Sequence, residues 1–279
     1  MGVPLRAWAV LTDGPGTRWS VYEEYPPGRE VATVVARGWI GRAGWARALR
    51  ILPDGCTDLL WDGHALVAVN ATGPALRRWL PGTAVTVGLR LRRGVAGSLL
   101  GHAMTELPPE GVPLPELWGE RARRAEDVLA SGGDARRVLE QLVTERLRDG
   151  FAADPLAVAA AHALRSPAVR LPALVSRLGT SERNLRRRVR HEIGCGPKQL
   201  QRLLRFQRFH HGLDALASGR TSLAGLAAAL GYADQSHLGR ECLRLTGSSP
   251  ARLVDGWARQ GAMAETFQTG AAVPGTIGA

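Results

Sequence analysis

Cysteine is scarce in this chain: Cys56, Cys195 and Cys242 are its three, far apart and in no CxxC pair. That pattern excludes a disulfide framework or a thiolate metal knuckle and fits a reducing cytoplasm. No run approaches the ~18 uninterrupted apolar residues that a membrane-crossing helix requires. Met1 to Trp8 lacks the charged start and long apolar stretch of a secretory leader. A cytoplasmic protein without membrane attachment is therefore expected. A Gly-rich phosphate loop, a nucleophile elbow and an HExxH helix are also missing. Residues 1–117 hold no convergent acid, base and nucleophile set, so an enzyme is not expected, and no cofactor or metal is implied. Lysine is nearly absent as well, since of 36 basic residues all but Lys198 are arginine.

What is present is an uneven charge. The 279 residues are 45% hydrophobic, enough for two ordinary domains with a real core. The formal net charge is +11. From Arg165 to Arg259 there are 17 basic and 6 acidic residues, so the whole excess lies in that third of the chain. An arginine-rich genome explains the choice of arginine but not its location. A basic module attached to a neutral one is the footprint of a polyanion binder.

Residues 1–118 read as a β-rich regulatory or sensor domain. The apolar runs Val31–Ala36, Thr57–Trp61, Ala65–Val69 and Ala84–Leu91 are separated by turn residues. The proline-rich stretch Glu106–Pro115 closes the region. Residues 119–153 read as two helices, a connector or a dimerisation surface, the second capped by Asp134. Residues 154–258 are helical, starting at the Asp154–Pro155 signal, with Asp as cap and Pro at the first helical position. About seven helices fit: 155–165, 172–178, 182–192, 197–211, 222–229, 234–245 and 250–257. Residues 259–279, rich in Gly, Ala and Thr, read as a flexible tail. The expected class is α+β overall, a β-rich domain followed by an all-α domain.

The helical region contains two similar halves. In the first, an apolar helix from Leu171 stops at Gly179, and Ser181 caps the next helix. Leu185 and Val189 share one face, while Arg183, Arg186, Arg187 and Arg190 occupy the others. In the second, the plan repeats with a Gly231 turn, capping Asp234, inward Leu238 and Cys242, and outward Gln235, Ser236, Gly239 and Arg240. Apolar inside, polar outside and entered through a glycine turn, such helices suit the major groove. Gln pairs with adenine and Arg with guanine at base edges. Leu200, Leu203, Leu204 and Phe206 of the helix at 197–211 should link the halves, placing the recognition helices about 34 Å apart in successive grooves.

These residues carry a resemblance. Gly231-Tyr232-Ala-Asp234-Gln-Ser236-His237-Leu238-Gly-Arg240, followed by Thr-Gly247-Ser-Ser-Pro250, resembles the signature of the AraC/XylS family of transcription regulators. Leu171 to Val189 with Gly194 and Pro197 resembles the family's first motif. Cys242 departs from it, standing where the family usually has Phe. Leu52-Pro53-Asp54-Gly55-Cys56-Thr57-Asp58-Leu59-Leu60-Trp61, Gly73-Pro74, Val87 to Arg90 and Pro113 to Gly119 resemble an N-terminal domain found ahead of some AraC-type DNA-binding domains, and that resemblance names no ligand. It implies a signal-responsive, sequence-specific DNA-binding transcription regulator acting on promoter or operator duplex. DNA-contacting residues would be Arg183, Arg186, Arg187, Arg190, Gln235, Ser236, His237 and Arg240, with His237 also suited to a structural or phosphate role. RNA polymerase, a small-molecule effector and a second copy of the chain (a homodimer) are further candidate partners. Two other readings stand beside this one: an enzyme or small-molecule-binding protein that uses the helical domain for DNA targeting, and a non-specific architectural binder.

Two smaller readings complete the survey. Cys56, between Asp54 and Asp58, fits a turn entering a strand better than a metal or redox site, having no partner cysteine or spaced histidine. Trp8, Trp19, Trp39, Trp45, Trp61, Trp79 and Trp118 should be mostly core. Some of them would also suit an aromatic pocket for a small apolar or cationic ligand.

Overall fold

The computed structural model describes residues 7–11 and 20–259. Trp19 and the expected tail beyond residue 259 lie outside them. The strands are β1 (Ala7–Leu11), β2 (Ser20–Tyr25), β3 (Val35–Arg42), β4 (Arg47–Ile51), β5 (Thr57–Trp61), β6 (Leu66–Asn70), β7 (Leu76–Leu80), β8 (Val85–Leu91) and β9 (Val112–Pro113). Seven of them form one antiparallel sheet in the order β1-β2-β3-β8-β5-β6-β9. β4 and β7 pair separately as a ribbon, Arg47 opposite Leu80 through Ile51 opposite Leu76.

The alternation of side chains along β8 gives the sheet two different faces. Val87, Leu89 and Leu91 point to one face and join Leu59 of β5 in a core closed by helices. Those helices are α1 (Ala96–Leu100), α2 (Leu114–Trp118), α3 (Glu120–Ala130) and α4 (Ala135–Arg148). Leu99, Leu139, Leu142 and Val143 are at most 3% exposed there, and each such leucine contributes roughly 1.5–3 kcal/mol by leaving water. Asp134 caps α4, accepting from the Arg136 and Arg137 amides at 2.9 and 3.3 Å. The two helical pieces expected over 119–153 are thus α3 and α4, and their apolar faces belong to the core of the sheet.

Four features differ from the sequence reading. Val31–Val34 form a turn, though Val31, Val34 and Val35 all enter the core. β1, β2, β4, β7 and β9 lie outside the apolar runs, and β7 (Leu-Arg-Arg-Trp-Leu) has no buried position. The short α1 follows β8 directly. Trp79 is 65% exposed, whereas Trp39 and Trp61 are buried as expected.

The second half is α5 (Pro155–Ala163), α6 (Leu171–Arg177), α7 (Glu182–Ile193), α8 (Pro197–His211), α9 (Leu213–Ala217), α10 (Leu223–Ala229), α11 (Gln235–Thr246) and α12 (Pro250–Arg259). α9 is one helix more than the periodicity predicts. Gly212 closes α8 in the right-handed region (φ −84°, ψ −3°), so the chain runs straight on into another turn of helix. Asp154 caps α5, accepting from the Leu156 and Ala157 amides at 3.0 and 3.1 Å. Phe206 and Phe209 of α8 are fully buried at the centre of a core that takes Leu185 and Val189 from α7 and Leu238 and Cys242 from α11.

Candidate nucleic-acid interface

α6–α7 and α10–α11 are two helix-turn-helix units on either side of α8. Gly179 and Gly231 turn the chain with φ +58° and +73°, a left-handed conformation that glycine adopts without a Cβ penalty. Ser181 Oγ then accepts from the Asn184 amide at 3.2 Å, and Asp234 Oδ1 from the His237 amide at 2.6 Å. These caps start α7 and α11 cleanly and fix which faces turn outward.

On α7, Leu185 and Val189 are fully buried, and Arg183, Arg186, Arg187 and Arg190 are exposed. Arg187 donates to Asn184 Oδ1 at 3.0 Å. Among the described residues, Arg183, Arg186 and Arg190 have no hydrogen-bond or ion-pair partner. Arg188, on the flank, is held instead by Asp154 at 2.9 Å. On α11, Gln235, Ser236 and Arg240 are exposed and Gly239 has open space above it. His237 is half-buried, with its ring edge-on to Tyr232 at 5.3 Å and its Nδ1 accepting from the Ala233 amide at 3.4 Å. Tyr232 is itself buried and donates to Glu241 Oε1 at 3.2 Å. His237 is thereby tied into the turn, unlike its exposed neighbours.

The other face of the sheet carries a cavity of about 690 Å³, roofed by the β4–β7 ribbon. Its floor is set by strand register. Asp58 of β5 lies directly opposite Arg90 of β8, and Trp39 of β3 opposite Gly88. A side chain at Gly88 would collide with the Trp39 indole, so glycine is what lets the ring lie across β8. Arg90 grips Asp58 through two hydrogen bonds of 2.9 and 2.8 Å and reaches Asp54 at 3.1 Å. Its side chain is 6% exposed, and the paired carboxylates hold its pKa well above the usual value even though burial opposes the charge. Cys56 is buried beside this group, its thiol pushed up to about 12 by burial, in keeping with a turn-and-strand role. Gly55 has the left-handed conformation of the expected Asp–Gly turn (φ +72°).

The sequence reading did not find this floor. The signal was there: Asp58 and Arg90 are the single charges of β5 and β8, strands that are otherwise uncharged and mostly apolar, and a charge so placed needs a partner.

Cavity and helices share structure. Leu52 lines the cavity and also belongs to the core around α8. The Pro53 carbonyl accepts from buried Gln207 of α8 at 2.7 Å. The ribbon reaches α11 and its exit turn: the Ala75 amide donates to the Leu245 carbonyl at 2.8 Å, and Arg50 to Ser248 Oγ at 3.2 Å. α7 is held from the sheet side. Glu192, 2% exposed, accepts from Ser98 Oγ at 2.5 Å and from the Ser98 amide at 2.9 Å, and the Met104 amide donates to the His191 carbonyl at 2.8 Å.

Comparison with known proteins agrees with this geometry. A family model described as a helix-turn-helix domain matches residues 174–255, which span α6 to α12 almost completely. No curated relative matches. Similar solved structures include ToxT from Vibrio cholerae, at 10% identity over 84% of this chain and 98% of that one, with a TM-score of 0.39. Another is unsaturated fatty acid bound wild-type ToxT from strain SCE256, at 12% identity over 79% and 94%, with a TM-score of 0.36. Likeness at that level carries nothing about ligand or partner. The two helix-turn-helix units and the matching model define a DNA-binding transcription regulator. The matched stretch contains the residues that resemble the AraC/XylS signature. Among the described residues, no helix is long and apolar enough to cross a membrane.

Proposed function

We propose that this regulator reads a specific duplex sequence with α7 and α11 together and changes its grip when a small molecule occupies the cavity under the ribbon. The observation that carries the DNA half is a contrast between arginines. Arg90, Arg121, Arg146 and Arg188 are each held by carboxylates. Arg183, Arg186 and Arg190 face solvent without a partner among the described residues. Unpaired guanidinium groups on a capped, outward helix suit phosphates and the guanine edge. The responsive half is supported by Leu52 and Pro53, which sit between the cavity and α8.

The test is a binding series of the full chain with selected and random duplexes over a range of salt. Affinity should fall steeply, with a log–log slope of about −0.9 per phosphate contact, and the selected duplex should keep a large advantage throughout. Near-flat salt dependence overturns the DNA-binding face. Equal affinity for both duplexes overturns sequence specificity and favours an architectural binder.

A further inference from the structure

We propose that the cavity beneath the β4–β7 ribbon takes an amphipathic cation, an ammonium or amidinium group on an apolar or aromatic body, with Asp58 as its counter-ion and Trp39 and Trp79 against its body. This deepens the effector reading above and rests on it.

The charge balance of the cavity is the starting point. At the rim, Arg78 and Asp62 neutralise each other at 2.7 Å. On the floor, two carboxylates, Asp54 and Asp58, share the single guanidinium of Arg90. Cys56 adds no charge, because burial keeps its thiol protonated. Arg93 stands nearby, but it donates to the main-chain carbonyl of Asp54, at 3.2 and 2.9 Å, and does not line the cavity. Counting Asp and Arg residues, the lining therefore carries one negative charge in excess, on floor side chains that are mostly buried, where charges interact more strongly than in water.

Of the two carboxylates, Asp58 is the one open to a ligand. Asp54 is 4% exposed in its side chain, and its Oδ1 already accepts the Cys56 amide at 2.8 Å. Asp58 is 16% exposed. Arg90 gives each of its oxygens one hydrogen bond and Trp39 adds another, which leaves one of a carboxylate's roughly four acceptor sites to offer. Burial raises the Asp58 pKa even against the adjacent guanidinium.

An anion fits this floor poorly. It would meet two carboxylates, and Arg90 could turn to it only by leaving one of them buried and unpaired. A neutral ligand would leave the excess charge as it is. A cation offsets it, and tryptophan faces attract cations through the ring quadrupole. Trp39 forms part of the wall and Trp79, 65% exposed, stands at the mouth. Leu49, Ile51 and Leu60 supply an apolar lining for the body of the ligand. The volume of about 690 Å³ suits a molecule of drug-like size.

The experiment is a matched panel on the full chain. Three bodies (phenylbutyl, octyl and indolylethyl) are each prepared as the primary ammonium, the alcohol and the carboxylate, and binding is read by calorimetry and thermal shift. The best ammonium should bind at least tenfold more tightly than its alcohol and carboxylate partners. Trp79→Ala should weaken it several-fold, and Asp58→Asn should abolish the preference for the ammonium. If an alcohol or carboxylate binds as tightly as its ammonium or more so, the cation proposal falls and the cavity remains an effector site. If no ammonium binds, the cation proposal falls with no support left for the cavity, while the DNA series above judges the regulator separately. The wild-type panel decides the matter even if Asp58→Asn does not fold.

Discussion

Arg183 and Arg187 stand one helical turn apart on the exposed side of α7, and their counterparts on α11 are fewer. Gly239 leaves the middle of the α11 outward face without a side chain, so no group there reaches a base. The first helix should therefore supply more affinity and more discrimination. Arg183→Ala or Arg187→Ala should cost ~1–3 kcal/mol at a selected site if the guanidinium is bidentate to a base, with preference relaxed at one position. Arg240→Ala should cost less, and Gln235→Ala less again. Titrating the four variants against selected and random DNA in parallel separates base reading from phosphate holding, because a lost phosphate contact weakens every sequence alike. Loss of specificity in the Gln235 or Arg240 variant, with the α7 variants intact, would reverse this ranking.

At the scale of elements, the contact between α1 and α7 joins the sheet to the first recognition helix through very short distances. A Cβ on Gly97 would lie 2.5 Å from the His191 carbonyl oxygen, which belongs to helix backbone and cannot give way. Gly97→Ala should therefore push α1 off α7, lowering stability by about 1–3 kcal/mol, measurable by urea unfolding. A variant as stable as the parent would show that the two elements do not bear on each other. Neither α1 nor this contact was legible in the sequence, whereas α7 and α11 were. The recognition helices announce themselves through local signals, glycine turns and capping Ser181 and Asp234, joined to an apolar stripe. β5, β6 and β8 were readable for a similar reason, as apolar runs bounded by turns. β4 and β7 make a ribbon with little burial, so no hydrophobic pattern marks them. The Asp58–Arg90 pair joins strands 32 positions apart in sequence, and only the register of the sheet brings them together.

On the scale of the whole molecule, stability should depend on a histidine. His210 lies on α8, stacked edge-on to Trp257 of α12 at 5.8 Å and near Phe206 at 6.4 Å. Burial, with a smaller push from His211, lowers its pKa to about 4. The folded protein thus keeps it neutral, while the unfolded chain takes up the proton near the usual value of about 6.5. Its contribution is complete above that value and is lost as pH falls towards 4, by up to about 1.4 kcal/mol per pH unit. Urea unfolding at pH 7.5, 5.5 and 4.5 should show His210→Leu less sensitive to acid than the parent; equal sensitivity would place the acid lability elsewhere. The turn at Leu52 and Pro53 has another bearing on the molecule as a whole. Because it belongs to the cavity wall and to the seat of α8 at once, any influence passing through it runs both ways: whatever factor an occupant changes in the grip on DNA, DNA returns in the grip on the occupant. Different operators, holding α7 and α11 in slightly different poses, would then give one sensor several dose thresholds, and a rising signal would switch promoters in an order written in the DNA itself.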